Sequence, residues 1–436
     1  MNQPSRALPK RSALASLVSA ALLAFVGSAA AQDSFKLGIV TFLSGPAAES
    51  FGVPAANAAK TMIEQFNKGT APAPYNKAGF GGAKIEMVLV DENGGATKQV
   101  QELRNLYQRE NVDAIVGYVG SGDCLAVAPV AEELKKMLVL FDCGTPRIFE
   151  DSAPKYVFRS ASHAAMDNVS LARYLKSRNV KINTFNLINQ DYAWGQDSRA
   201  DFVASMANLY PQAKPGTDLL PKFGAGQYGT EVSALAGKQA DILYSSLWGG
   251  DLQAFILQAG ARGALQDTTL VLSAADHVFP GLLDKVPDGT IFGARGQYGI
   301  LSAKTPLNDW FQAAYQGAHN MAPVQASYRV TQALMGLKLA VERAMAKNGG
   351  KKPSSEEMAD ALRGSNWDSP GGPIRMTLGN GHQATQPTAI GRTKYDAAAK
   401  KVMAVDVQTF GAECVNPPAG VKALDWIKGG FVGAKC

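Results

Sequence analysis

Apolar positions along this chain fall into short continuous runs and into longer stretches spaced at three and four residues. The first kind reads as buried strand, the second as amphipathic helix. Phe35 to Thr41 is an apolar run with a β-branched end, broken by Ser44-Gly45-Pro46, and Val53 to Asn67 follows with helical spacing. Lys84 to Val90, Ala114 to Gly117 and Met137 to Phe141 read as further strands. Helices are expected over Ala96 to Glu110 and after Gly120-Ser121-Gly122. The alternation then restarts. Tyr156 to Arg159 is a short extended segment, with a helix over about Ala164 to Ser177. Strands at Thr184 to Asn189, Ile242 to Ser245 and Thr269 to Ser273 alternate with helices at Gly195 to Tyr210 and Leu252 to Ala259. Ile291 to Ala294 is extended again. Helices follow at Leu307 to His319, Gln325 to Ala346 and Ser355 to Arg363, and Thr388 to Asp396 pairs antiparallel with Val402 to Phe410. Strands alternating with helices of ten to fifteen residues mean βαβ crossovers, hence parallel sheets with helices on both faces. Two such α/β units, with later segments returning to the first, place a binding cleft between them.

The first residues change the picture of where the chain works. Arg6, Lys10 and Arg11 precede the uncharged apolar stretch Ser12 to Val26, and Ala29-Ala30-Ala31 supplies small residues for a cut before Gln32. The stretch is shorter than the roughly 20 apolar residues a spanning helix needs, so a cleaved leader and a periplasmic protein are expected. Gln32, rather than a cysteine, follows the cut, which argues against a lipid anchor. Removing 1–31 from 436 residues leaves 405, too long for one ordinary core. It also removes three of 43 Lys and Arg, so the net charge falls from +6 to +3 and nothing points to nucleic acid. Four cysteines in an exported chain suggest disulfides. Of three possible pairings, proximity favours Cys124–Cys143 and Cys414–Cys436, the second stapling an otherwise loose tail.

Candidate chemistry lies in loops that leave strand ends and enter helices. Phe51-Gly52, Gly120-Ser121-Gly122 and Cys143-Gly144-Thr145 follow the first, third and fourth strands. Small residues there let backbone N–H groups approach a ligand, and helix N-termini favour an anion. The Ser121 and Thr145 hydroxyls add donors; the same residues could simply cap helices. In the second unit, Asp191-Tyr192-Ala193-Trp194-Gly195 and Leu247-Trp248-Gly249-Gly250 place aromatic rings at strand ends, suited to an amphipathic small molecule. Asp276 could bind an ammonium group or cap the next helix.

Taken together, Leu37-Gly38-Ile39-Val40, Leu43-Ser44-Gly45-Pro46 with Phe51-Gly52, Val90-Asp91-Glu92 and Val116-Gly117 with Ser121 resemble the Leu/Ile/Val-binding proteins of ABC importers. Phe158-Arg159-Ser160 and Asp191 through Trp194-Gly195 extend the resemblance, which spans roughly Phe35 to Phe410. It implies a type I periplasmic binding fold: two doubly wound parallel-sheet lobes joined by a three-segment hinge that closes on ligand. Lobe 1 would comprise 32–157 and 295–385, lobe 2 158–294 and 386–412, with 413–436 as a C-terminal tail. By that resemblance Ser121 and Cys143 to Thr145 hold a ligand carboxylate, while Phe51 and Trp194 wall the pocket. Trp248 and Asp276 complete the expected ligand-binding set. The family commonly has a glutamate near Ala275-Asp276 for the ligand's ammonium, and here only Asp276 stands there. The expected ligand is a branched-chain or related amino acid, with an amide, urea or aromatic carboxylate as the alternative. The expected partner is an ABC permease in the inner membrane, approached by a monomer; a sensor role at a membrane receptor is the other use of the same fold. No cofactor or metal is expected, because no spacing resembles a zinc site. Catalysis finds no support in a G-x-S-x-G elbow or a Walker loop. His163, His277, His319 and His382 are expected at the surface or in loops.

Overall fold

The computed structural model describes residues 1–4 and 34–436; the leader expected over 1–31, from residue 5 onward, and the cut before Gln32 lie outside the described residues. In chain order the first sheet receives β1 (Phe35–Thr41), β2 (Ile85–Asp91), β3 (Ala114–Gly117), β4 (Leu138–Leu140) and β5 (Val157–Arg159). Between them lie α1 (Val53–Lys68), α2 (Ala96–Gln108), α3 (Ser121–Leu134) and the single turn α4 (Arg147–Glu150). The chain then builds a second sheet. Its elements are α5 (Ala164–Ser177), β6 (Thr184–Ile188), α6 (Ala193–Leu209), β7 (Lys214–Leu219), α7 (Gly229–Ala236), β8 (Ile242–Ser245), α8 (Gly249–Ala261), β9 (Thr269–Leu272), α9 (Phe279–Leu282) and β10 (Ile291–Gly293). It returns to the first through α10 (Pro306–His319), α11 (Gln325–Lys347), α12 (Ser355–Leu362), β11 (Asn366–Ser369), β12 (Gly372–Leu378) and β13 (Gln383–Thr385). A last passage adds β14 (Thr388–Asp396) and β15 (Lys401–Phe410) to the second sheet, followed by α13 (Ala412–Val415) and α14 (Ala423–Lys428).

The eight-stranded sheet runs β11-β12-β13-β5-β4-β3-β1-β2 and the seven-stranded sheet β15-β14-β10-β9-β8-β6-β7. Pairing is parallel from β2 to β5 and on to β13, and from β7 to β10. The antiparallel pairs sit at one end of each sheet. The central strands are buried on both faces, which is why β1 and β3 read as nearly unbroken apolar runs. In each sheet the strand order reverses once, between β1 and β3 and between β6 and β8. Loops leaving these switch points are where open α/β sheets bind ligands.

Three segments carry the chain between the sheets, after β5, after β10 and after β13. They are tied together at one atom. The Arg295 carbonyl oxygen, on the second crossing, accepts from Ser162 Oγ on the first (2.9 Å) and from Gln386 Nε2 on the third (3.3 Å). Arg329 Nη2, from α11, adds a third donor at 3.1 Å. Arg295 adopts φ of +58°, a conformation side-chain-bearing residues seldom take, and the convergent hydrogen bonds hold it there.

The tail is built into the second lobe rather than hanging from it. Trp426, Ile427 and Phe431 join a core with Leu171, Leu175 and Phe202 of α5 and α6. Cys414 is bonded to Cys436, and Cys124 to Cys143, with Cα separations of 4.7 and 6.5 Å. The second bond ties the first turn of α3 to the loop after β4.

Candidate ligand-binding cleft

Loops from both switch points converge on a narrow, nearly closed cavity with about 10 Å³ of free volume. From the first lobe come Phe51 after β1, Val119 after β3, Asp142 and Gly144 after β4, and Gln325 at the start of α11. Tyr192, Trp194, Trp248 and Ala274 come from the second lobe, and Arg295 from the crossing after β10.

The walls are aromatic. The Phe51 ring lies edge-on to Trp248 at 5.3 Å and to His277 at 5.2 Å. Phe223 stacks on Trp248 at 5.5 Å. The indole nitrogens are engaged, Trp248 Nε1 donating to Tyr192 Oη (2.8 Å) and Trp194 Nε1 to the Ser246 carbonyl (3.0 Å). Gly144 lies directly against the Trp194 ring: a Cβ there would come within 2.1 Å of it, so only glycine permits the contact.

Asp142 and Arg295 of the wall belong to a buried cluster of two cations and two anions. Arg295 and Arg329 both donate to Asp142 Oδ1, and Arg295 Nε donates to Asp167 Oδ2 at 2.9 Å. None of the four is more than 6% exposed. The Arg295 guanidinium also lies over the Trp194 ring, 4.2 Å from its centroid. Burial alone would depress the Arg295 pKa, but Asp142 and Asp167 outweigh it and hold the group above its ordinary value.

The expected site residues divide. Phe51, Gly144, Trp194 and Trp248 stand on the cavity wall; Ser121, Cys143, Thr145 and Asp276 are not among its lining residues. The Ser121 hydroxyl accepts from the backbone N–H groups of Gly144 (3.1 Å) and Thr145 (3.2 Å), so it braces the loop after β4. Thr145 Oγ1 donates to Asp197 Oδ2 at 2.6 Å, across to α6, and the Cys143 carbonyl accepts from Arg159. The amides of Val119 and Gly120, at the N-terminus of α3, donate to the buried Glu92 carboxyl at 2.7–2.9 Å. Burial pushes the Glu92 pKa well up, Asp123 adds to this, and those two amides oppose it.

Asp276 sits beneath the wall. Its Oδ2 accepts from the Gln325 amide (3.0 Å) at the N-terminus of α11, a place where the helix dipole favours negative charge. Burial nevertheless raises its pKa to about 7. The folded state therefore holds this proton more tightly than the unfolded chain, whose ordinary value is 3.8. Its contribution to stability is complete below that value and is lost as pH rises through 7. Wild type is accordingly expected to lose up to about 4 kcal/mol relative to Asp276→Asn between pH 4 and 8. Denaturant unfolding of both proteins across that range checks it; a constant difference would rule the assignment out. Of the histidines expected at the surface or in loops, His163 and His382 do lie outside helices and strands, yet they and His277 are buried. His277 is spent inside, accepting from the Gly249 amide and bonding to Gln325.

Asp142, Arg295 and Gln325 were not among the expected site residues, and Tyr192 was marked only as one of the aromatic rings at its strand end. Arg295 carried one local signal, a charge directly after the apolar run Ile291 to Ala294. Gln325 carried none, being the first residue of a helix far along the chain.

Two α/β lobes sharing an aromatic-walled cavity at both switch points define a small-molecule binding protein. The sequence pattern of the periplasmic binding protein family matches residues 34–400, and the chain belongs to that family. Leu/Ile/Val-binding protein homolog 4 of Brucella melitensis biotype 1 is 24% identical over 392 residues, covering 86% of this chain and 87% of its own. Two solved structures share the fold. A solute-binding protein of an ABC transporter from Rhodopseudomonas palustris BisB5, in complex with 3,4-dihydroxybenzoic acid, has a TM-score of 0.73 at 20% identity, covering 87% of this chain and 98% of its own. The leucine-, isoleucine-, valine-, threonine- and alanine-binding protein from Brucella ovis, in a closed conformation, has a TM-score of 0.72 at 18% identity, covering 89% and 98%.

Proposed function

We propose that this protein is an extracytoplasmic solute-binding protein that closes its two lobes on one small ligand and delivers it, as a monomer, to an ABC importer in the inner membrane. The observation that carries this reading is the cavity itself, walled by loops of both lobes and by Arg295 of the crossing that joins them. A ligand seated there touches both lobes at once, so its binding energy falls on the closed arrangement. Only about 10 Å³ of the cleft is free, far below the roughly 300–1,000 Å³ typical of small-molecule pockets, so the lobes must separate to admit a single amino acid, amide or substituted benzoate. The relatives' names span the same range, from branched-chain amino acids to dihydroxybenzoate.

The test is a thermal-shift screen on protein unfolded and refolded to strip carried-over ligand, followed by small-angle scattering with each compound that stabilises it. A ligand at a hundred times its dissociation constant should add about 2.7 kcal/mol of stability. The radius of gyration should fall on saturation. Stabilisation by none of the amino acids, amides, ureas or aromatic carboxylates tested, with no compaction, would count against solute capture.

A further inference from the structure

Of the three guanidiniums buried around the crossings, one has no carboxylate of its own. Arg295 and Arg329 pair with Asp142 and Asp167, whereas the fully buried Arg159 donates only to neutral oxygens. Its Nε bonds to Gln383, and its Nη1 to the carbonyls of Cys143 and Thr145, both at 2.6 Å. Its Nη2 has no partner among the described residues, and the Phe149 ring lies 5.3 Å from the group. Glu150 and Asp142 act on it through space. Burial and the two neighbouring guanidiniums outweigh them and bring its pKa down to about 9. Arg159 is therefore still charged at neutral pH, in a dry place that gives it no hydrogen-bonded anion.

Arg159 lines a second cavity, of about 490 Å³, which shares no lining residue with the cleft and lies within the roughly 300–1,000 Å³ typical of small-molecule pockets. Its sides come from α4 and the residues after it, from the end of β12, and from the tail between Pro417 and Lys422. His163 joins Arg159 in the lining; it is 2% exposed, and its Nδ1 is also without a partner among the described residues. Burial, then Arg159 and Arg295, push the His163 pKa down to about 3, so the neutral ring offers a hydrogen bond and no charge. Phe149, Leu378, Pro417 and Val421 supply apolar wall. The two carboxylates of the lining are engaged elsewhere, Glu150 Oε1 with the Ala423 amide (2.8 Å) and Asp151 with Lys422 (2.7 Å). Their charge disfavours a doubly charged guest. One unpaired guanidinium nitrogen, a neutral imidazole and apolar sides are the complement of a short monocarboxylate.

We propose that this cavity is a second ligand site, which takes a short aliphatic monocarboxylate with its head on Arg159 and its chain against Phe149, Leu378 and Val421. It stands apart from the solute-binding reading, whose ligand lies in the cleft.

Two histidines report on the two places separately. His163 lines this cavity, and His277 lies 5.2 Å from Phe51 of the cleft wall. Their imidazole signals, assigned through His163→Gln and His277→Gln, are followed by nuclear magnetic resonance at neutral pH while butyrate or butyramide is added. Butyrate is expected to move the His163 signal saturably, on the order of 1–10 mM. Butyramide, which has the same shape without the charge, should bind about 10-fold more weakly. Val421→Trp, at a 43% exposed position of the lining, should abolish the His163 response and leave any His277 response as it was. Arg159→Gln should abolish it too where circular dichroism shows that variant folded; where it does not, the butyramide comparison carries the test of charge. A His163 signal that moves equally with butyramide overturns the proposal, as does a response that persists in Val421→Trp or in folded Arg159→Gln. Movement of His277 alone, or of neither signal, also overturns it; the first places the carboxylate in the cleft and leaves solute capture standing.

Discussion

Arg295→Met is expected to destabilise the protein by about 3–5 kcal/mol, because it leaves buried carboxylates behind rather than merely deleting a contact. Asp167 would lose its guanidinium partner outright, and Asp142 would keep only Arg329. Both carboxylates are almost completely buried, so water cannot take over the missing pairing. Arg295→Lys is expected to recover part of the loss and no more. A single ammonium cannot reproduce the fork that reaches Asp142 and Asp167 together, nor the planar stack on Trp194. The double variant Arg295→Met with Asp167→Asn should be more stable than Arg295→Met alone, since it removes the stranded charge. Urea unfolding of the four proteins makes the comparison. A loss under about 1 kcal/mol for Arg295→Met would mean that the cluster is solvated and not the dry joint described above.

How far the chain's own pattern leads is best judged element by element. The limits of α5 and β8 coincide with the apolar patterning, because each is a central element whose burial follows from its own side chains. β1 is legible for the same reason. By contrast β7, Lys-Pro-Gly-Thr-Asp-Leu, is a polar edge strand with no buried residue, and no local pattern distinguishes it from a loop. The strands β11 and β12 alternate in burial, and the three-residue β13 finds its parallel partner β5 more than two hundred residues earlier. Their identity is a property of the assembled sheet.

The site divides along the same line. Loops after apolar strands could be marked as binding loops, and Phe51, Gly144, Trp194 and Trp248 do meet at the cavity. What a hydroxyl does within such a loop depends on which amide turns toward it, and Ser121 and Thr145 are taken by intramolecular partners. Arg295, Asp142 and Arg329 lie on three widely separated segments, and only the fold makes them one cluster. Asp142 sits directly before the loop Cys143-Gly144-Thr145 that the sequence marks as a binding loop. The structure gives its carboxylate two guanidiniums to answer and leaves one oxygen over.

Trp194→Ala should be as damaging as the loss of Arg295, at about 3–5 kcal/mol. The residue begins α6 in the second lobe but is 2% exposed, because its ring is covered by Gly144 of the first lobe and by Arg295 of the crossing. Removing it opens a void where three parts of the chain meet and strips the Ser246 carbonyl of its donor. Trp194→Phe keeps an aromatic face for Arg295 and loses the N–H, so about 1–2 kcal/mol is expected from the unpaired carbonyl and the smaller ring. Gly144→Ala attacks the same contact from the other side: its methyl would arrive 2.1 Å from the indole, so ring or loop must move, at about 1–3 kcal/mol. The two substitutions should not add. Once Trp194 is alanine the closest clash is gone and only Arg295 Nη2, 2.7 Å from the Gly144→Ala methyl, stands in its way, so the double variant is expected to lose less than the sum of the two. Denaturant unfolding of the cycle reads the coupling directly. Additive losses would place the strain of Gly144→Ala elsewhere in the loop and detach Trp194 from the contact between the lobes.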